Sequence, residues 1–231
     1  MTVEGRVGAG PDRRAQWVAG ALLTLFIALT VLVQLRALAM YDLAFSLGKR
    51  QVEGPFLEVV AAVTGILFSA ELSMMHGLAA VLYLWRRGLR SWALAPLAFL
   101  VVTPVEMVLK RFVSQPYVPA DLHSSVPYPL ATVELGGAYP SGHALRTAFF
   151  LTFAAMLLWQ EGGGAVRRAL AASVVLLGLF IAYTRVYVGD HWLSDVVGGL
   201  ALGAATALLV VGPVAARLRD QALSPSGKGL G

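Results

Sequence analysis

Residues 137–159 read G-A-Y-P-S-G-H-A-L-R-T-A-F-F-L-T-F-A-A-M-L-L-W. From Ala144 onward the run is apolar apart from Arg146 and two threonines. It approaches the length of about 20 residues that a membrane-spanning helix needs. Yet it opens on Pro140, Ser141, Gly142 and His143, and it carries Arg146 one turn further on. A lipid-facing helix has no use for those groups, and burying them in hydrocarbon is costly. The stretch therefore reads as a membrane helix whose mouth is polar for a purpose.

The rest of the chain supports the membrane setting. It has 231 residues, of which 58% are hydrophobic and only 13% charged. Its mean hydropathy is +0.72. A soluble domain has about a quarter of its residues charged, because charge must cover its surface. A single polytopic all-α domain over residues 1–219 is expected, followed by a polar tail over 220–231. The absence of cysteine excludes disulfides and Cys-ligated metals. The net charge is +5, but in a membrane protein the position of each charge matters more than the sum.

Arg13 and Arg14 precede an apolar run from Trp17 to Val33, and Ala37-Leu38-Ala39 resembles a signal-peptidase site. That run exceeds the roughly 7–15 residues of a signal h-region, so it reads as an uncleaved first helix. Six spans are expected: Gln16–Leu35, Ala70–Leu84, Trp92–Val113, Gly142–Trp159, Ala169–Val186 and Ser194–Val211. The apolar segment Pro55–Ser69 is short and runs directly into the second.

Lys and Arg collect on cytoplasmic loops. The basic clusters are Arg13-Arg14, Arg86-Arg87 with Arg90, Arg167-Arg168, and Arg217 with Arg219. If all face the cytoplasm, the chain crosses an even number of times between them. Pro55–Ser69 is then an interfacial helix rather than a span, and both termini are cytoplasmic. The tail, rich in Ser, Gly and Lys, is expected to be disordered.

The same parity brings three segments to the outer face: the region of Lys110, Ser141–His143, and Arg185–Asp195. At the start of the fourth helix, unpaired backbone N–H groups and the helix dipole attract a phosphate. Gly142 permits close backbone approach, and Ser141 offers a hydroxyl. In T-R-V-Y-V-G-D-H-W-L-S-D, Asp195 follows His191 by four residues. If a helix begins near His191, that spacing lets the carboxylate hold one side of the imidazole. The other ring nitrogen is then presented as a nucleophile. Lys110 and Arg185 would neutralise a phosphoryl group in transfer. They also argue against a metal site built from the histidines with Asp190 and Asp195, since cations repel a cation.

Together these residues resemble the type 2 phosphatidic acid phosphatase (PAP2) superfamily of membrane lipid phosphatases. Its second motif, P-S-G-H, is matched by Pro140–His143. Its third, S-R-x5-H-x3-D, is matched by Arg185, His191 and Asp195, with Thr184 in place of Ser. Its first, K-x6-R-P, is matched at Lys110 alone, since Tyr117 and Val118 stand at the Arg and Pro positions.

The resemblance implies a six-helix layout and metal-independent hydrolysis of a lipid phosphate or diphosphate, with no cofactor. It implies His191 as the attacking group that forms a phosphohistidine, Asp195 as its orienting partner, and His143 as the acid for the leaving group. It implies Lys110, Ser141, Gly142 and Arg185 as phosphate contacts. Arg146 or Arg111 is expected to supply the contact put in doubt by Tyr117. The substrates suggested by the resemblance are undecaprenyl diphosphate, phosphatidylglycerol phosphate and phosphatidate. A bacterial inner membrane is the expected location, with an extracytoplasmic site and no nucleic-acid partner.

Two other functions fit the same residues. A phosphotransferase would pass the group from His191 to a lipid or sugar. A non-catalytic carrier of anionic lipid would not need His191. Glu71, His76 and Glu106 lie in apolar helices and are functional suspects by position. Glu106, four residues before Lys110, is more simply a helical ion-pair partner. Gly199 and Gly203 form a small-xxx-small pattern that suits close helix packing. Trp17, Trp85, Trp92, Trp159 and Trp192 are expected at membrane interfaces.

Overall fold

A computed structural model describes residues 13–48, 54–124, 137–160 and 164–223. These fold into helices only, with no strand among the described residues. The order is α1 (Arg13–Gln34), α2 (Ala39–Gly48), α3 (Pro55–Leu67), α4 (Ala70–Arg86), α5 (Phe99–Phe112), α6 (Gly142–Gln160), α7 (Ala165–Val188) and α8 (Leu193–Leu223).

Among the described residues, α1, α7 and the Leu193–Val210 part of α8 are each long and apolar enough to cross a membrane. α3 and α4 pass the same test only when taken together, and they are bent by 63° at their junction. The break has a local cause. Ser69 caps α4 by accepting from the Leu72 amide at 3.3 Å, so the chain starts a new helix there rather than continuing the old one. Pro55–Ser69 is thus the first limb of a bent pair.

The count of six spans is not reached on length and apolarity. The expected third span, Trp92–Val113, divides into 3-10 turns at Arg90–Trp92 and Ala95–Ala98 and the 14-residue α5, which holds Pro104. A helix of that length rises only about 21 Å, against a hydrocarbon core of about 30 Å. Gly142–Leu158 of α6 is apolar but short. α2 falls where no helix was expected. α8 continues to Leu223, past the Asp220 where a disordered tail was expected to begin. Residues 224–231 of that tail lie outside the described residues.

Large apolar side chains cover the outside, among them Trp17, Ile27, Val101, Leu176 and Leu179. A helical bundle in water would bury them, whereas lipid is their solvent here. The centre is built by α8, which packs on α1, α6 and α7. A Cβ on Gly199 would overlap the Ser141 carbonyl, and one on Gly203 would overlap the Leu145 carbonyl. The two glycines therefore let α6 lie backbone to backbone against α8. Without them the start of α6 could not reach the start of α8.

Trp192 departs from the interfacial expectation. It is buried, with its indole N–H donating to the Pro116 carbonyl at 2.7 Å. Trp17 and Trp85 are exposed, and the Trp159 side chain lies outside the described residues.

Candidate active site

The site forms where α6 and α8 begin and α7 ends. Ser141 precedes α6 and caps it. Its carbonyl accepts from the Leu145 amide at 3.0 Å and its hydroxyl from the Ala144 amide at 3.3 Å. Its own amide donates to the Asp195 carbonyl at 3.0 Å. One backbone hydrogen bond thus ties the P-S-G-H stretch to the H-x3-D stretch.

α7 stops at Gly189, whose φ of 88° lies in the left-handed region that glycine adopts freely. A Cβ there would also strike the His123 backbone at 2.8 Å. The reversal places Asp190 and His191 over the last turn of α7, where both amides donate to the Arg185 carbonyl. α8 then starts with Asp195 in its first turn. Asp195 Oδ2 accepts from the Trp192 amide at 2.9 Å and faces His191 Nδ1 at 3.5 Å. One carboxylate therefore caps the helix and faces the imidazole. Burial, aided by Lys110 and Arg185, pushes His191 down from the usual imidazole value to about 3. The ring is neutral at pH 7, which is the form with a lone pair to give.

Arg185 is fully buried. Its guanidinium donates to the Thr184 hydroxyl at 3.0 Å, to the Thr64 hydroxyl at 3.4 Å and to the Ala61 carbonyl, and it meets Asp190 at 3.5 Å. Thr184 thus keeps the hydroxyl that a serine would supply. His143, in the first turn of α6, is hydrogen-bonded to the backbone of Gly65 and lies within electrostatic reach of His191, Arg146 and Arg185. Lys110 Nζ donates to the Ala138 carbonyl at 3.3 Å and stands 4.0 Å from Glu106.

The structure brings His143, His191, Asp195, Lys110, Ser141, Gly142, Arg185 and Arg146 into one region. Arg146 is buried, with Nε donating to the Phe68 carbonyl at 3.2 Å and NH1 on Glu106 at 3.3 Å. Arg111 is exposed on α5, and Tyr117 is 38% exposed. His76 packs between Phe68 and Phe150 rather than in the site. Glu71 is exposed.

Two groups of residues escaped the sequence reading. The first is the inner part of α3 and the α3–α4 junction. Ala61, Thr64, Gly65 and Phe68 supply oxygens to Arg185, His143 and Arg146. The second is a buried triad behind Asp195. Asp42 accepts from the Ser194 amide at 2.9 Å and the Ser194 hydroxyl at 2.6 Å, and the Gln115 amide donates to both Asp42 and Ser194. Asp42 sits alone in an apolar run. An acid so placed was a signal that could have been followed.

Three comparisons bear on this arrangement. The family model of the PAP2 superfamily matches residues 90–219. No curated protein matches the chain. Among solved structures, the chain is similar to the crystal structure of a transmembrane PAP2-type phosphatidylglycerolphosphate phosphatase from Bacillus subtilis. The identity is 20% and the TM-score 0.69, over 90% of this chain and 98% of that one. At that identity the likeness is one of fold.

Proposed function

The chain belongs to the PAP2 superfamily and is an integral membrane phosphatase, and from that premise we propose that it hydrolyses a lipid phosphate or diphosphate through His191, without a metal. The observation that carries this reading is the hydrogen bond from Ser141 to Asp195. It fixes the anion-attracting start of α6 beside a neutral histidine backed by a carboxylate.

In the proposed reaction, the free nitrogen of His191 attacks phosphorus and the bond from phosphorus to the leaving oxygen breaks. The electron pair stays on that oxygen, and His143 supplies its proton. Asp195 balances the positive charge that the imidazole acquires. Water then attacks the phosphohistidine, His143 takes the water proton, and the P–N bond breaks to release phosphate. Lys110, Ser141, Gly142 and Arg185 hold the phosphoryl oxygens. Arg146 takes the place left by Tyr117, and Arg111, being exposed, does not.

α5 and α6 complete a six-span bundle in this proposal, with the bent α3–α4 pair counted as one span. Both termini are cytoplasmic, and the site opens at the outer face of a bacterial inner membrane. Undecaprenyl diphosphate, phosphatidylglycerol phosphate and phosphatidate are the candidate substrates. The Bacillus subtilis neighbour is named for phosphatidylglycerolphosphate, so that lipid is assayed first.

The test is phosphate release by the detergent-purified protein in excess EDTA from a panel of these lipids, beside His191→Ala. Release from one lipid that vanishes in the variant is expected. Activity retained in His191→Ala would refute the mechanism. Label passed to an added lipid or sugar acceptor rather than to water would mark a transferase.

A further inference from the structure

Glu106 was expected to be a simple partner of Lys110, one turn away on α5. The geometry gives it a more central place. Its Oε2 lies 3.3 Å from Arg146 of α6, closer than its Oε1 lies to Lys110 at 4.0 Å. A Cβ added to Gly142 would collide with the Glu106 carboxylate, so the carboxylate rests directly against the first residue of α6. Glu106 is buried, only 6% exposed, and near enough to influence His191 electrostatically. One buried carboxylate is thus held by two cations at the mouth of a helix that starts a phosphate seat. A carboxylate and a phosphate compete for such partners, since both are anionic acceptors.

We propose that Glu106 is an internal competitor for phosphate, sharing Lys110 and Arg146 with the bound phosphoryl group and so weakening the site's hold on the phosphate product. This rests on the phosphate seat proposed above. A lipid substrate has its tails in the membrane as a second source of affinity. Free phosphate has only the seat. A carboxylate that offsets part of the positive charge therefore loosens the product more than the substrate, and it speeds release. It also selects against free phosphate as a competing ligand.

The test uses the full chain in detergent and the equilibrium binding of radiolabelled inorganic phosphate at low ionic strength. Removing one negative charge a few ångströms from the seat should tighten phosphate binding in Glu106→Gln by tenfold or more. The same variant should show a lower KM for lipid substrate without a rise in kcat. Glu106→Asp, which withdraws the carboxylate by one methylene, should tighten phosphate binding by a smaller factor. It also decides the matter if Glu106→Gln does not fold.

A merely structural Glu106 would give weaker binding and a lower melting temperature. Unchanged or weaker phosphate binding in a folded variant therefore overturns the proposal while leaving the seat intact. Absence of phosphate binding by wild type and variants alike would overturn the seat itself, and the proposal with it.

Discussion

Replacing Asp195 by Asn tests the core of the site with little change of shape. Asp195 Oδ2 makes two contacts, to the Trp192 amide at 2.9 Å and to His191 Nδ1 at 3.5 Å. An asparagine oxygen still caps the helix, so α8 should form. What disappears is the negative charge opposite an imidazole that becomes positive as it attacks. At 3.5 Å and an effective dielectric of about 20, that interaction is worth about 5 kcal/mol. At roughly 1.4 kcal/mol per factor of ten, the limit is three to four orders of magnitude in kcat. The amide dipole recovers part of it, so a fall of about 100- to 1,000-fold is expected, with KM changed by only a few-fold. The assay is phosphate release under saturating lipid, with the melting temperature measured in parallel. A folded Asp195→Asn protein with kcat within tenfold of wild type would refute the reasoning. Asp195 would then be a helix cap and no more.

The depressed His191 sets a pH dependence of stability. Its folded value is about 3, against about 6.5 for a free imidazole. Between those values the unfolded chain binds a proton that the folded chain does not, so stability falls as pH drops from about 6.5 toward 3. The melting temperature should fall between pH 7 and pH 4.5 by less in His191→Asn than in wild type, and an imidazole of His191 titrating near 6.5 by NMR would contradict this. The α6–α8 crossing makes a separate prediction. Gly199→Val places its branch on the Ser141 carbonyl, and it should cost about 1–3 kcal/mol by overpacking while also lowering kcat through the displaced Ser141–Asp195 bond. Gly20→Ala, with nothing within 4 Å of its new Cβ, should stabilise by about 0.5–1 kcal/mol through helix propensity; equal melting temperatures for the two variants would refute the packing argument.

Some of this was legible because polar groups are expensive in an apolar chain. Ser141, His143, Arg185, His191 and Asp195 stand out from the sequence for that reason, and their spacing places them on helix ends. Hydropathy reads length and composition, however, and not direction. It could not see that Ser69 would end one helix and cap the next, bending α3–α4 by 63°. Nor could it see that Trp92–Val113 would tighten into 3-10 turns before α5. The partner of Glu106 was invisible for another reason. Lys110 lies on the same helix, while Arg146 comes from a helix 40 residues on, and only the packing of α5 against α6 makes it the nearer cation.

The altered first motif shows how that packing offsets a change that the sequence alone presents as a loss. Tyr117 takes an arginine position and stays partly exposed, so it brings no charge to the proposed phosphate seat. The residues just before it have found other work. Gln115 joins Asp42 and Ser194, and Pro116 receives Trp192. Both contacts fall at the start of α8, on or just before the turn that carries Asp195. The segment thus braces the turn that carries Asp195, and in the proposed reaction the charge missing at Tyr117 comes from Arg146 of α6. In that arrangement the positive charge sits on a rigid helix rather than on a loop. A cation so fixed needs a counter-ion when no substrate is bound, because an unpaired buried charge is costly. Glu106, 3.3 Å from Arg146 and set against Gly142, is that counter-ion.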